Sequence, residues 1–540
     1  MPRGRLPRFA SSPWAPAWLG LCVALPSLLF PFGWDTSVHY YVAREWLLRG
    51  AVPYRDTFDH KTPGIYAIHA LLIAVFGEGM WAIRVAELAG VVALAAVGAR
   101  LAAPRGERPR PGATAAAILG VSVLQFGHLD YWNTAQCELW CVLFAASSWL
   151  VVRRGRGSYG AVVIGGLLAG AALLMKPVAL LLLLLPVFET LLAAPPRSRA
   201  RRALAVAVFG ASSLILPALV VLQLWRAGAL RSAIDAVIGA NIAYVSQETR
   251  AHSFGEALRM TCAVFTHGGP TSWAVIATAL VLVATALWRR RFADARRHGV
   301  TLLFGCVSLA AMVVQMKFYL YHATIMAGAA AMVFASGFDE LTRLLGTLRR
   351  RNATPWVYAA LLALLFHASG NQYRRWKDNA ETTLGWMTGS VSEERFARRF
   401  EWVPGKVHFR TLEQLGLWLR DHTSKEETIL VRDEAAEIYV VSERHSADRF
   451  FWSVFLDSPT RTHHRSEWVK EDLDSLVTHP PRYVVVRAAK QRGPSASSYF
   501  EALGYEKCLR VEEFVVLEAP ATLRSASFGQ TAAKPGTSAD

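Results

Sequence analysis

GWDTSVHYYVAREWLLRGAVPYRDTFDHKTPGIYAIHALLIAVFG occupies residues 33–77. An ordinary connection between structural elements has a handful of residues, and this stretch is far longer. Val38, Tyr41, Val42, Trp46 and Leu47 recur at helical spacing. That pattern predicts an amphipathic helix lying along the outer membrane surface. A Pro53-Tyr54 turn follows, then a polar knot, Asp59-His60-Lys61. Pro63 suits the first turn of a second, apolar helix.

Reading outward, the segment is preceded by a basic start, MPRGRLPR, and an apolar run from Trp14 to Phe32. No small-residue cleavage site follows that run. It is therefore read as a retained span with a cytoplasmic N-terminus rather than a signal peptide. Further apolar runs fall near 80–102, 112–127, 136–152, 159–175, 177–194, 203–225, 272–288, 300–315, 322–340 and 354–369. The Lys176-Pro177 pair splits the long run between Tyr159 and Ala194, because a charge and a helix breaker coincide there. At about 20 residues per span, the total is about eleven. Basic clusters at 105–110, 153–157, 195–202, 289–298 and 348–351 alternate with polar-aromatic loops at 33–79, 128–135, 226–271 and 316–321. Positive loops stay inside. This places the protein in the inner (plasma) membrane as a multi-pass protein, with its C-terminal part outside the cytoplasm.

Composition agrees. Of 540 residues, 53% are hydrophobic and only 18% charged, whereas soluble domains carry roughly 25% charge. The net charge of +17 sits in the short loops between apolar runs. No zinc-finger spacing, RNP-like strand or long basic tail accompanies it, which argues against a nucleic-acid partner. The six cysteines lie mostly in or beside apolar runs and imply no disulfide framework.

Beyond residue 370 the apolar runs shorten to strand length: TILV (428–431), EIYVV (437–441), RYVVV (482–486) and EEFVVLE (512–518). Helical patterns lie between them. Thr411 and Gln414 stand at capping-box spacing in RTLEQLGLWLRDH. Strands alternating with helices predict a small α/β domain over 370–520. Residues 521–540, rich in Ser, Ala, Thr and Gly, are expected to be disordered. The expected fold is thus a polytopic α-helical membrane domain (1–369), amphipathic helices in its outer loop, and a C-terminal α/β extracytoplasmic domain.

Several segments together resemble a known family. Asp35 directly after the first span, Arg44-Glu45 further along the surface helix, and GAVPYRDTFDHKTPGIY (50–66) are similar to membrane glycosyltransferases of the C superfamily, in particular the family 39-like branch. That branch includes protein O-mannosyltransferases, the aminoarabinose transferase and lipopolysaccharide-core sugar transferases. NTAQCELW (133–140) resembles its second acidic motif. GGLLAGAALLMKP (165–177) resembles its Gly-rich span ending in Lys-Pro. KFYLYHATIMAGAAA (317–331) resembles its aromatic segment, with the order here Tyr-His. Thr36 stands where many relatives have a second acid.

The resemblance implies inverting transfer of a monosaccharide from a polyprenyl-phosphate donor to a glycan, lipid or protein acceptor at the outer face. Such a reaction requires a base for the acceptor hydroxyl and cations for the leaving phosphate. Asp35 is the expected catalytic base, although an Asp there also suits a helix N-cap. Glu138 is the second acid, expected to orient the acceptor or a cation. Lys61, Arg44, His60, Asp59 and Lys176 are the expected donor-phosphate and substrate residues, since ammonium and guanidinium groups both suit phosphate. No cofactor is expected. Asp35 and His39, at i and i+4, are the only hint of a divalent-metal site. The loop at 226–271, with Asp235, Asn241, Tyr244, Gln247 and Glu248, is expected to cover the pocket.

A transporter or flippase shares the spans and basic loops, but would usually place ionisable residues near mid-membrane. Here they gather at one face. A glycan ligase or polymerase is the alternative within enzymes.

Overall fold

Glycine and proline punctuate the chain where the helices stop. In this computed structural model, residues 12–193, 199–248, 251–348, 353–403, 407–457, 464–488 and 496–523 are described, and the expected disordered tail lies outside them from residue 524 onward. Helix α1 (Ala15–Ala24) runs into a 3₁₀ turn, Leu25–Leu29, and the chain then bends by 68° into α2 (Trp34–Arg49). Gly50, at φ 70°, closes α2 in the left-handed conformation that only glycine adopts without strain. α3 (Gly64–Phe76) and α4 (Trp81–Ala102) follow. α5 (Pro111–Ser122) continues as a π turn, Val123–Gly127, before α6 (Cys137–Gly155) and α7 (Tyr159–Met175). Lys176 is extended, and Pro177 bars continuation of α7 as the sequence predicts.

The bundle continues with α8 (Ala179–Leu182), α9 (Leu184–Ala193) and α10 (Arg199–Arg226). The next outer loop is helical: α11 (Leu230–Ile234), a π turn (Asp235–Ala240), α12 (Asn241–Glu248) and α13 (Phe254–His267). α14 (Gly269–Trp288), α15 (Phe292–Val313), a 3₁₀ turn (Leu320–Met326), α16 (Ala327–Thr347) and α17 (Thr354–His367) complete it. By length and hydropathy, four segments among the described residues can cross a membrane: α4, α10, α14 and Leu320–Thr347, with a fifth if the bent α1–α2 pair counts. The expected eleven is not reached on those grounds. Counting apolar runs ignores the π, 3₁₀ and proline breaks that shorten individual helices; α3, α7 and α17 are apolar but short.

α2 does not present an exposed polar face along the expected amphipathic stretch. Thr36 to Glu45 are all buried, because this helix is roofed by the C-terminal domain. Tyr41 packs on Tyr439 and Phe451 at 5.0 and 4.3 Å, and its hydroxyl accepts the Ser446 N–H at 2.8 Å. The following loop is bound to the same domain. Phe58 sits among Phe450, Phe455 and Trp468, its N–H donates to the Arg449 carbonyl, and its own carbonyl accepts the Trp452 indole at 3.0 Å. Loop and domain thus share one apolar core.

The C-terminal domain carries a short antiparallel pair, β1 (Glu401–Val403) and β2 (Val407–His408). Its main sheet contains β3 (Thr428–Arg432), β4 (His445–Ser446), β5 (Tyr483–Arg487), β6 (Glu506–Val511) and β7 (Phe514–Glu518), ordered β4-β3-β5-β7-β6. β3 pairs in parallel with β4 and β5, while β7 is antiparallel to β5 and β6. Three of the four expected strands are present. EIYVV is instead a helix, Glu437–Ser442. Packing overrides its β propensity: the Tyr439 ring turns into the core and its hydroxyl accepts the Val431 N–H at 2.8 Å. The capping box is also absent. The helix Phe409–His422 starts before Thr411, whose hydroxyl donates to Glu512 at 2.6 Å.

Candidate active site

The polar knot and three later motifs meet around one cavity of about 470 Å³. Its first wall is the N-terminus of α2 and the loop beneath it, Trp34, Asp35, His60, Lys61 and Thr62. Gly33 is the N-cap, so Asp35 sits in the first helical turn instead of capping it. The Asp35 carboxylate accepts from Lys61 Nζ at 3.3 Å. Burial alone would raise the pKa of Asp35, but the neighbouring Lys61 charge more than offsets this and holds it below the ordinary aspartate value. Burial would also strip the proton from Lys61, and the Asp35 charge more than offsets that. Both groups therefore stay ionised at neutral pH.

Gly64 brings the second wall close. A Cβ there would stand 2.6 Å from the Leu174 carbonyl oxygen, so only glycine lets α3 start against the end of α7. The adjoining Thr62 hydroxyl donates to the Met175 carbonyl at 2.7 Å. This contact brings Lys61 and Lys176, far apart in sequence, to one site. Both ammoniums face the Tyr321 ring, at 6.0 and 5.9 Å from its centroid. Behind Lys176 lies Glu138, fully buried in the first turn of α6. Glu138 Oε1 pairs with Lys176 Nζ and lies 3.7 Å from His322 Nε2. Glu138 thus holds a lysine in place and does not itself line the cavity.

Asp59 is also behind the wall. Its oxygens accept the His60 N–H and the Tyr66 hydroxyl, each at 2.7 Å. Burial opposes its charge, but the His60 hydrogen bond and nearby cations hold it down at about 2. His60 lies over Trp452 at 6.0 Å. Burial lowers its basicity more than Asp59 restores it, so the ring is neutral.

Arg44 lies elsewhere. Its buried guanidinium donates to the carbonyls of Tyr439 and Arg444, at 3.1 and 2.7 Å, and pairs with Glu45 at 3.0 Å. It is a tie between α2 and the C-terminal domain. Arg44→Ala should therefore cost about 1.5–3 kcal/mol of stability, the range for hydrogen bonds made by a charged group. Thermal unfolding of the purified variant measures it.

Sequence reasoning missed several lining residues. Lys317 donates to the Tyr244 carbonyl at 2.8 Å and lies 3.3 Å from the centre of that ring. Tyr244 and Tyr319 share a hydroxyl–hydroxyl bond of 2.7 Å. A lysine beside an apolar run was the available signal, as at Lys176. Asn241 donates to the His60 carbonyl at 2.7 Å, so the 226–271 loop does reach the cavity through Asn241 and Tyr244. The C-terminal domain adds Glu434, Trp452 and Phe455. The 3₁₀ turn has a second face as well. Leu320, Ala323 and Thr324 line an adjoining, mostly apolar cavity of about 220 Å³ between α13–α16 and the end of α5. Among the described residues no three His, Cys, Asp or Glu side chains are grouped to hold a metal ion.

No family model matches this sequence. No curated protein matches it either. Solved structures do match. ArnT from Cupriavidus metallidurans, in the apo state, superposes with a TM-score of 0.57 at 15% identity, covering 94% of this chain and 98% of that one. The same protein bound to undecaprenyl phosphate gives 0.56 with the same identity and coverage. The archaeal oligosaccharyltransferase AglB from Archaeoglobus fulgidus, in complex with an inhibitory peptide and a dolichol-phosphate, gives 0.48 at 11% identity, over 88% of this chain and 69% of that one. With near-complete coverage of both chains, the fold is that of ArnT.

Proposed function

We propose that the protein transfers a monosaccharide from a polyprenyl-phosphate donor to a hydroxyl of an envelope glycan, lipid or protein, at the extracytoplasmic face of the inner membrane. One observation carries this reading: Lys61, Lys176 and Lys317 line one cavity together with the Asp35 carboxylate. A sugar phosphate brings a negative charge that grows on the leaving oxygen, and fixed cations stabilise it as it forms. The neighbouring apolar cavity offers room for part of a lipid chain, and undecaprenyl phosphate is the ligand of the ArnT complex.

In this mechanism the acceptor oxygen attacks the anomeric carbon while the bond from that carbon to the phosphate oxygen breaks. The hydroxyl proton passes to Asp35, and the polyprenyl phosphate leaves with the electron pair, held by the lysines. A single displacement inverts the anomeric centre. Glu138 positions Lys176, and Asp59 positions His60. Trp452 and Phe455 give the sugar or acceptor an apolar wall.

Lys61→Ala should weaken undecaprenyl-phosphate binding by about 1.5–3 kcal/mol, the worth of one charge-assisted contact. Titration of the purified, folded variant against this lipid measures it. Unchanged affinity would take Lys61, and with it the donor assignment, out of the cavity.

A further inference from the structure

The ends of α4 and α6 far from the candidate site carry a second concentration of charge. Arg100, Arg105, Arg108, Arg153, Arg154 and Arg156 line one cavity of about 630 Å³. On α6, Arg153 lies about 22 Å from Glu138 at 1.5 Å per residue, so this cavity is separate from the site described above. Only two carboxylates, Glu107 and Glu189, share it.

Two of the six guanidiniums are committed. Arg105 pairs with Glu189, which the Trp149 indole fixes at 3.2 Å. Arg153 donates to the carbonyls of Leu101 and Ala103, at 2.6 and 3.0 Å, closing the end of α4. Arg100, Arg108, Arg154 and Arg156 make no ion pair among the described residues and are exposed. Loop arginines at a membrane end ordinarily satisfy the positive-inside rule by spreading into water. These converge on one concavity, where like charges raise the local potential and draw an anion in. Planar guanidiniums bind phosphate bidentately. Leu150, which is buried, and Leu192, which is exposed, add apolar lining, which suits a ligand whose phosphate continues into a hydrocarbon chain.

We propose that this cavity binds a phosphate-bearing anion, presented by the headgroup of an anionic lipid in the leaflet at that end of the bundle. The inference is independent of the sugar chemistry at the other end.

The test uses the full-length protein in detergent, with native mass spectrometry and thermal stability as readouts. The probes are phosphatidylglycerol, phosphatidylcholine and inorganic phosphate. Phosphatidylglycerol should bind at least about tenfold tighter than phosphatidylcholine, equivalent to about 1.4 kcal/mol. The triple variant Arg108→Gln/Arg154→Gln/Arg156→Gln should lose that preference. Arg289→Gln/Arg290→Gln/Arg296→Gln, which removes the same charge from exposed positions outside the cavity, should keep it. If the first triple variant does not purify folded, Arg154→Gln alone should lower the preference at least about threefold. Equal affinity for the two lipids, or an unchanged preference in the cavity variants, overturns the proposal. Tight binding of inorganic phosphate with no lipid preference, abolished in the same variants, overturns the lipid source and leaves a soluble phosphate as ligand.

Discussion

Asp35→Asn leaves the protein folded and inserted in the membrane and slows sugar transfer by about 10²–10⁴-fold, the usual loss when a general base is removed. The substitution keeps the side chain's size and an oxygen that can still accept from Lys61, now 3.3 Å away. No cap is lost, because Gly33 holds the N-cap position. The remaining structural effects are the loss of one negative charge from a helical first turn, about 0.3–1 kcal/mol, and of the charge that keeps the buried Lys61 protonated. Thermal unfolding of the same variant reads the effect on folding apart from the transfer rate. The acid side of the pH profile adds a second readout. Asp35 is held below the ordinary aspartate value of 3.8, and the carboxylate is the active form. Transfer should stay flat as pH falls from neutrality and drop only below that value, with no step from the neutral His60. Near-wild-type transfer by Asp35→Asn, measured where chemistry limits the rate, would sink the mechanism.

Arg84→Met should destabilise the protein by about 3–5 kcal/mol, because it strands a buried carboxylate. Arg84 and Glu87 are both fully buried in α4, 3.6 Å apart. Arg84 also donates to the carbonyls of Phe30 and Pro31 and, at 2.8 Å, to the Thr134 hydroxyl. Glu87 accepts the Ala135 N–H at 2.7 Å and the Gln125 amide at 2.8 Å, and Gln125 in turn accepts the Thr324 hydroxyl at 3.2 Å. This chain ties the bend between α1 and α2 to the 131–136 loop, which carries Trp132 and Asn133 into the candidate site, and to the 3₁₀ turn that bears Tyr321. Hydrogen exchange in 128–136 should rise sharply in Arg84→Met. The double variant Arg84→Met/Glu87→Leu should recover much of the loss, since no unpaired charge remains. Wild-type exchange and stability in the single variant would show that the loop is held by other contacts.

Local patterns and the tertiary structure account for different parts of this protein. Apolar runs with short-range breakers decide where helices lie: α4 occupies 81–102 against an expected 80–102, and α7 ends at Lys176-Pro177 as read. Those features depend on residues within a few turns, so one sequence contains them. The same holds for three of the main-sheet strands; Asp35, Lys61 and Lys176 are singled out by the family resemblance, and it is the tertiary structure that brings them to one cavity.

What only the folded chain decides is the use made of each charge. Arg44 and Lys61 look alike as cations in one loop. One is committed to backbone carbonyls of a domain some 400 residues later, and the other faces a cavity. Arg84 and Glu87 sit inside a hydropathy peak, where a window average hides them, yet they organise the loop beside the site. Lys317, Trp452 and Phe455 join the cavity through contacts between segments with no local signature of pairing. EIYVV folds as a helix because Tyr439 is needed under β3. The physical reason is the same throughout: helix position follows from short-range periodicity, whereas the partner of a buried polar group is set by whichever distant segment the packing brings within about 3 Å.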